Sequence, residues 1–239
     1  MKQSLSSIPD GTIHDTFEDS RGHGGFINCM NRSYLVIPIG NTWWTAENLD
    51  TKYFRNGDPI PEITENDEWT STPEPARCHY LNLPQCGEIY GSLYNFAAVT
   101  DPRTIAPPGW HVATDEDWIR LEIALGLDLE EASTERRCRG EDKNIGGLLK
   151  EAYGTTRHWR RPNLRATNAY RFTALPGGYR NPWGRFADTT KKGFFWSNPS
   201  DNTKSRQGSR VLFCERAGIS RDLDLYRDYG LSVRCVKDA

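Results

Sequence analysis

Glycine and proline interrupt this chain of 239 residues throughout, with 21 glycines and 14 prolines. Both residues disfavour the interior of a helix, so this composition favours a loop-rich body over a helical bundle. Hydrophobic residues make up only 36% of the chain, but eight tryptophans, ten tyrosines and nine phenylalanines supply a large apolar area per side chain. The length suits one large domain or two small ones, with aromatic residues as the core.

The clearest local signal lies in the segment "PPGWHVATDEDWIRLEIALG". Thr114, with Asp117 three residues later, resembles a capping box, and the acidic residues at this point suit the positive end of a helix dipole. Apolar residues then recur at helical spacing until Gly126, which suits a left-handed helix stop. The pattern predicts a helix over residues 115–125. A second short helix is predicted from the spacing of Ile89, Leu93, Phe96 and Ala97.

Several segments have the pattern of strands. The β-branched run over residues 34–39 ends at the turn pair Gly40–Asn41, and a second strand-like piece begins at Trp43. Near the C-terminal end we expect Phe194–Trp196, Val211–Phe213 and a half-buried alternating strand over Leu231–Val236 to close one sheet. The fold class predicted is α+β, with a mixed, mostly antiparallel sheet, two helices and much irregular structure.

The domain organisation predicted is simple. Residues 1–32 are polar and lack periodicity, which indicates an arm that is flexible or used in assembly. Residues 33–239 form a single domain with a long irregular insertion at about 51–86.

The charge balance and the N-terminal residues limit the possible partners and location. The net charge of -2 does not indicate nucleic acid or an anionic membrane as a partner. No run of about 18 apolar residues indicates a membrane span, and the first residues lack the apolar segment of a signal peptide. We therefore expect a cytoplasmic protein, a component of a larger particle such as a phage, or a chain with a trimmed N terminus. The six cysteines favour free thiols over disulfides.

Seven sequence blocks carry a resemblance to a known family. They are, in order, "IGNTWWTAENL", "YGSLYNFAAV", "PPGWHVATDEDWIRLE", "GGLLKEA", "FTALPGGYR", "FFWSN" and "GLSVRCVKD". Over about residues 34–238 the chain resembles the bacterial major paralogous domain family, known as FISUMP. That resemblance implies a C-type-lectin-like fold. The chain departs from the family in the long insertion at 51–86 and in Ala106, where the family often has a cysteine. A disulfide between Cys138 and Cys235 is left open.

The chain is also similar to the variable proteins that diversity-generating retroelements modify at the 3′ end of the gene. That resemblance implies a recognition surface over about residues 198–229 that binds a macromolecular ligand, which we expect to be a protein. The ligand-binding residues predicted are Asn198, Ser200, Asp201, Arg210, Leu212, Cys214, Arg216, Ala217, Gly218, Ser220, Asp222, Leu223, Asp224, Leu225, Tyr226, Arg227 and Tyr229.

Other kinds of function are less favoured. The main alternative is a structural or appendage component of the same fold without a diversified site. Catalysis by Cys214 or Cys235 would need a nearby base, and His111 is interpreted as a hydrogen-bonded structural residue. We therefore expect no enzyme activity, no catalytic residue and no cofactor.

Metal binding is also not expected. Cys78, His79 and Cys86 lack a second pair of zinc ligands, so loop cysteines are favoured there. Asn198 and Asp201 offer oxygen ligands for calcium, but the Glu-Pro-Asn and Trp-Asn-Asp triplets of sugar-binding lectins are absent.

The tryptophans are interpreted mainly as core residues. This interpretation applies to Trp43, Trp44, Trp110, Trp118, Trp183 and Trp196. Tyr226 and Tyr229 lie outside the family-like blocks and are favoured as binding residues instead.

Overall fold

A computed structural model describes residues 10–19, 22–30, 32–152, 158–198 and 207–238. The larger of two main sheets has six strands in the spatial order β1-β2-β3-β4-β14-β7, and all neighbours are antiparallel. Numbered along the chain, these strands are β1 His14–Asp19, β2 Gly22–Cys29, β3 Arg32–Ile39, β4 Thr42–Thr45, β7 Trp110–Val112 and β14 Cys235–Lys237.

The second main sheet has four antiparallel strands in the order β11-β12-β13-β8. Its strands are β8 Arg136–Arg139, β11 Lys192–Ser197, β12 Gln207–Phe213 and β13 Ile219–Leu225. Two small ribbons complete the strands, and they pair β5 Arg77–Cys78 with β6 Leu93–Tyr94 and β9 Tyr179–Arg180 with β10 Phe186–Ala187.

The helices are short. They are α1 Asn66–Ser71, α2 Pro84–Tyr90, α3 Phe96–Thr100, α4 Asp115–Ala124, α5 Leu129–Ser133 and α6 Ile145–Leu149, with a 3-10 turn at Tyr80–Asn82. The α+β class is confirmed, although the described residues contain more helices than the two predicted.

Helix α4 is the element that the sequence predicted best. Thr114 Oγ1 accepts a hydrogen bond from the backbone N–H of Asp117 at 3.1 Å. Asp117 Oδ2 in turn accepts from the backbone N–H of Thr114 at 2.9 Å, which completes the capping box. The predicted helix over 115–125 is therefore confirmed to within one residue at its C-terminal end.

Both faces of the six-stranded sheet are covered by apolar residues. On one face Trp44 contacts Trp118 with ring centroids 5.1 Å apart, and Phe172 and Phe195 join the same cluster. A second apolar cluster on the opposite face includes Val36, Trp110, Trp196 and Cys235. Neighbouring residues such as Val36 and Ile37 enter different clusters because side chains alternate along a strand.

The segment 1–32 differs from the arm that the sequence predicted. Residues 14–19 and 22–29 form β1 and β2, which extend the larger sheet at one edge. Ile27 is fully buried with Tyr34 and Val36 in the second apolar cluster, so β2 is part of the core. The glycines of β2 leave little alternating apolar pattern, which is why the sequence gave no strand signal. Residues 1–9 lie outside the described residues.

The single helix predicted around residues 89–97 is wrong. Helix α2 ends at Tyr90, and Gly91 follows with a φ of 73°, a conformation that only glycine adopts easily. A Cβ on Gly91 would lie 2.8 Å from the carbonyl oxygen of Leu49, so close packing also requires glycine. Strand β6 then intervenes before Asn95 caps α3. The insertion at 51–86 likewise contains α1, β5 and the 3-10 turn within its irregular backbone.

The C-terminal segment also corrects two expectations. Residues 231–236 are all buried, because both faces of the larger sheet are covered. Arg234 satisfies its guanidinium by donating to Asn48 Oδ1 at 2.7 Å and to three backbone carbonyls, including that of Phe172 at 2.8 Å. The three predicted strands close one sheet only in part. Strand β14 lies in the larger sheet while β11 and β12 lie in the smaller one, and Ser232 forms a single parallel bridge to Phe195 of β11.

The structure also bears on disulfide bonds and on membrane-spanning helices. All six cysteines lie within the described residues and are free thiols, including Cys138 and Cys235. Across the described ranges, no helix combines the length and apolar character that a membrane span requires.

Candidate ligand-binding surface

The two faces of the four-stranded sheet have different surroundings. Phe195, Leu212 and Ile219 point into the apolar core beneath the sheet. Phe194 pairs with Val211, and Val211 pairs with Ser220. These three residues therefore face the opposite side, because alternate residues of a strand point to opposite faces. That opposite side is the outer face of the sheet.

A groove of about 440 Å³ lies on this outer face. Its lining residues are Glu135, Lys192, Phe194, Val211, Phe213, Ser220, Arg221 and Asp222, and we call it the outer groove. Val211 and Ser220 are buried at its floor. The Lys192 ammonium lies 5.9 Å from the Phe194 ring and 5.8 Å from the Phe213 ring, and Asp188 pairs with it at 2.7 Å.

An aromatic row continues from one side of the outer groove. The Phe194 ring lies 4.8 Å from the ring of Tyr179, which in turn lies 5.6 Å from the ring of Tyr229. Tyr226, in the same turn as Tyr229, is 67% exposed. Large, rigid aromatic side chains of this kind dominate many protein interfaces.

Most of the predicted binding residues between 216 and 229 are at least partly accessible. Arg216, Asp224, Tyr226 and Arg227 are exposed. The residues of intermediate exposure are Asn198, Asp222, Leu223, Leu225 and Tyr229. Ser200 and Asp201 lie outside the described residues.

Six predicted binding residues are buried, which corrects their assignment as displayed side chains. They are Arg210, Leu212, Cys214, Ala217, Gly218 and Ser220. Strand register is the cause for Leu212, which points into the core, and only Ser220 of the six lines the outer groove. Gly218 packs against β8 so closely that a Cβ would lie 2.6 Å from the Arg139 carbonyl oxygen. The five positions other than Ser220 support the surface from below and do not line the outer groove.

Arg210 belongs to a buried ionic network under the sheet. Its guanidinium donates to Asp115 Oδ1 at 2.8 Å and to Glu122 Oε1 at 2.7 Å. Arg221 binds the same Asp115 carboxylate at 2.6 Å, and Arg139 binds Glu122 at 2.6 Å. Burial alone would raise the pKa of Asp115, but the two guanidinium groups outweigh it and hold this pKa well below its usual range. The network joins helix α4 to three strands of the smaller sheet.

The backbone of the exposed segment is bound by residues from other parts of the fold. The Lys150 ammonium donates to the carbonyl oxygens of Phe213 at 2.9 Å and Arg216 at 2.7 Å. The backbone N–H of Phe96 donates to the Arg227 carbonyl at 3.0 Å, and Trp69 Nε1 donates to that of Asp228 at 2.8 Å. The main chain is therefore held while the side chains of Arg216 and Arg227 remain exposed.

The thiols lack the surroundings that would make them nucleophiles. Burial, together with the neighbouring Glu215 carboxylate, raises the pKa of Cys214 to about 11. Cys235 is fully buried, and this burial raises its pKa well above the ordinary value. Both groups are therefore protonated at neutral pH, whereas nucleophilic catalysis requires the thiolate.

Two histidines are held by carboxylate partners. His111 shares hydrogen bonds with Asp117 at 2.8 Å and with Asp238 at 2.7 Å, which confirms its interpretation as a hydrogen-bonded residue. His79 contacts Asp50 at 3.1 Å. Among the described residues, no group of three or more His, Cys, Asp and Glu side chains has an arrangement that could hold a metal ion.

Trp183 corrects the interpretation of the tryptophans, because 65% of it is exposed. Trp44, Trp110, Trp118 and Trp196 are buried as predicted, and Trp43 is half-buried. The sequence reasoning also missed most lining residues of the outer groove, which are Glu135, Lys192, Phe194, Val211, Phe213 and Arg221, and it missed the adjoining Tyr179. Lys192 and Phe194 on β11 are two positions apart, as are Val211 and Phe213 on β12. This spacing is the signal that could have revealed their shared face, because alternate residues of a strand point to the same side.

The comparisons with known proteins gave one match. The sequence model of the Fibrobacter succinogenes major domain family (Fib_succ_major) matches residues 37–237. No curated protein and no solved structure matches the chain.

Proposed function

This chain belongs to the Fibrobacter succinogenes major domain family, and we propose that it is a non-catalytic protein that binds a macromolecular ligand, which we take to be a protein. The binding surface proposed is the outer groove with the accessible side chains of residues 216–229. The observation that carries this proposal is a bound backbone beneath exposed side chains. Lys150 and Trp69 hold the main chain at Arg216 and Asp228, while Tyr226 and Arg227 remain accessible.

Such a surface favours recognition for two physical reasons. A main chain that is already ordered loses little conformational entropy when a ligand binds. The accessible residues also combine aromatic, arginine and acidic side chains, and this mixture supplies anchoring area together with polar pairing. Tyr226, Arg227 and Asp224 lie within four residues of one another and offer all three kinds of group.

The absence of chemistry is part of the proposal. The raised pKa of Cys214 supports it, because a protonated buried thiol is a poor nucleophile. His111 supports it too, since both of its ring nitrogens have carboxylate partners that hold the ring in place.

We also propose that the domain has a C-type-lectin-like fold and that a retroelement diversifies its C-terminal surface. The resemblance of the seven sequence blocks supports this, as does the accessible stretch that precedes "GLSVR". Sequencing of the neighbouring DNA tests it. We expect a near-identical copy of the 3′ end of the gene, differing only at adenines, beside a reverse transcriptase gene. A neighbourhood without such a copy would contradict diversification and favour the assembly component described as the alternative.

Photocrosslinking tests ligand binding directly. A benzoylphenylalanine placed at Tyr226 should capture one partner protein in cells of the source organism. The same probe at Tyr53, which is 40% exposed and does not line the outer groove, is the matched control and should not capture that partner. Adducts that are identical at the two positions, or no adduct at Tyr226, would contradict the proposal. An adduct between two copies of this chain would favour the assembly role.

Affinity measurements then test the named side chains. The variant with Tyr226→Ala and Arg227→Ala should bind the captured partner at least about tenfold more weakly, because truncation of interface aromatics and arginines commonly has this effect. The melting temperature should remain nearly unchanged, since both side chains are exposed. A collapse of the melting temperature would identify them as structural residues instead.

A further inference from the structure

A second concave surface lies on a different side of α4, between this helix, the turn that joins β3 to β4, and β14. It encloses about 850 Å³, and we call it the helix groove. None of its lining residues was among the predicted binding residues. Gly40, in the turn, has a φ of 61°, and a Cβ there would lie 3.1 Å from the Cβ of Ala124. The turn therefore packs directly against the C-terminal end of α4 and forms a wall of the groove.

The helix groove has an apolar wall. Ile39, Trp43 and Ile123 line it, and Trp43 and Ile123 are only partly covered by the rest of the protein. Ile123 is 38% exposed, whereas Trp118 and Leu121 of the same helix are in the core. The volume of the helix groove falls in the range of about 300–1,000 Å³ that is usual for ligand pockets.

The acidic groups of the helix groove already have partners. Asp117 is 4% exposed and accepts hydrogen bonds from His111, Thr114 and Arg120. Asp238 binds the other ring nitrogen of His111 at 2.7 Å. Glu116 also has an interaction of its own. The carboxylates of Asp117 and Asp238 are therefore engaged within the protein.

Two cationic groups of the groove remain accessible. Arg120 is 68% exposed in its side chain and makes one contact, at 3.2 Å, with Asp117. Lys237 is exposed, and its ammonium has no ion-pair partner among the described residues. A partly uncovered indole, an isoleucine and two cations with spare donors complement a molecule with an apolar body and a carboxylate.

We propose that the helix groove is a second binding site and that it takes a carboxylate with an aromatic or branched aliphatic body. The apolar body lies against Trp43 and Ile123, and the carboxylate faces Arg120 and Lys237. A free small acid and the carboxyl terminus of a peptide share this chemistry. The site is separate from the outer groove, so either can fail without the other.

Titrations monitored by protein NMR test the site with matched probes. Indole-3-acetate carries the charge, and indole-3-acetamide keeps the ring without it. We expect saturable shifts of the Trp43 indole signal and of the Ile123 and Lys237 amides with the acid. The amide should bind at least tenfold more weakly. Equal affinities for the two probes, or no shift at millimolar concentrations, would overturn the proposal.

A second pair of probes identifies the source of the carboxylate. The tripeptide Ala-Ala-Trp is compared with its C-terminal amide. Binding of the tripeptide acid but not its amide supports a peptide terminus as the ligand, whereas binding of indole-3-acetate alone supports a small free acid.

Variants assign the binding to the named cations. Arg120→Gln and Lys237→Gln should each weaken binding of indole-3-acetate several-fold, and the double variant at least tenfold. Lys52→Gln removes an exposed lysine that does not line the groove and should leave the affinity unchanged. Ile123→Ser should weaken both indole probes, because it removes the shared apolar contact. Retained affinity in the double variant would overturn the assignment.

Discussion

Single residues in the C-terminal region differ in exposure because of strand register. Val211 and Leu212 are neighbours, yet the first is at the floor of the outer groove and the second is in the core. Substitutions are therefore expected to act differently at adjacent positions. Exchange at Tyr226 changes the surface, whereas exchange at Leu212 changes packing.

The cysteines give a residue-scale prediction about reactivity. Burial raises the pKa of Cys29 and Cys78 to about 12, and the pKa of Cys214 is raised to about 11. At pH 8 a pKa of 11 leaves roughly one thiol in a thousand as thiolate. We expect iodoacetamide to modify the half-buried Cys86 and Cys138 at least tenfold faster than Cys29, Cys78 and Cys214, as measured by peptide mass spectrometry.

A denatured sample is the control for this comparison. All six cysteines should then react at similar rates, because the environment that separates them is lost. If Cys214 in the folded protein reacts as fast as Cys86, its thiol is activated, and the proposal of a non-catalytic protein would lose its main chemical support.

At the scale of elements, the first turn of α4 connects the helix to two strands of the larger sheet. His111 on β7 binds Asp117 of the helix, and its other nitrogen binds Asp238, which follows β14. One imidazole thus bridges three elements.

This bridge predicts a pH dependence of stability. The hydrogen bond that His111 donates to the Asp117 carboxylate raises the pKa of His111, although burial opposes the effect. The folded state therefore holds the proton more tightly than the unfolded state does. The contribution of the protonated His111 to the free energy of unfolding is complete below the unfolded-state pKa of about 6.5. It is lost as pH rises through the folded-state pKa. We expect urea unfolding between about pH 5 and 8.5 to show this loss in the wild type and not in His111→Gln.

His23 supplies the control for the histidine prediction. Its side chain is 61% exposed, so His23→Gln should leave the pH profile unchanged. A profile of His111→Gln that matches the wild type would show that the bridge contributes nothing to stability.

At the scale of the whole molecule, the buried ionic network fixes the smaller sheet to helix α4. Asp115 forms ion pairs with both Arg210 and Arg221, and both of these arginines lie on strands of that sheet. The outer face can present a stable surface only if this inner face is well held.

Asp115→Asn tests the network. Removal of one charged partner from a buried ion pair commonly costs about 3–5 kcal/mol, and we expect a loss of this order in the free energy of unfolding at pH 7. The low pKa of Asp115 means that its contribution is present above about pH 3.9 and is lost as pH falls through the folded-state pKa. The acid part of the stability curve should therefore be flatter in the variant.

Asp128→Asn is the matched control for the network, because Asp128 caps α5 at an exposed position where asparagine caps equally well. Its free energy of unfolding should change by less than about 1 kcal/mol. A loss for Asp115→Asn no larger than that of the control would contradict the structural role of the network.

The sequence predicted the elements whose signals are local. The capping residues Thr114 and Asp117 predicted α4, and β-branched residues predicted β3. The α+β class and the family also followed from the sequence. These features depend on residues within a few positions of each other, which a linear pattern can show.

Features that depend on distant contacts could not be read in this way. Arg234 alternates with apolar residues along the sequence, as a surface residue would. Inside the protein, however, its guanidinium donates hydrogen bonds to the carbonyl oxygens of residues 45, 172 and 173. The sequence likewise could not show that Trp183 is exposed. The outer groove could not be predicted as such, because its lining combines Glu135, just before β8, with residues of β11, β12 and β13.

The position of β14 has a consequence for biosynthesis. Val236 pairs with Trp44 on one side and with His111 on the other, so this strand separates two strands that are made much earlier. A nascent chain on the ribosome cannot close the larger sheet until residues 235–237 have emerged. The facing edges of β4 and β7 stay unpaired until then, and we expect ribosome-stalled chains that lack this strand to be captured by chaperones or degraded.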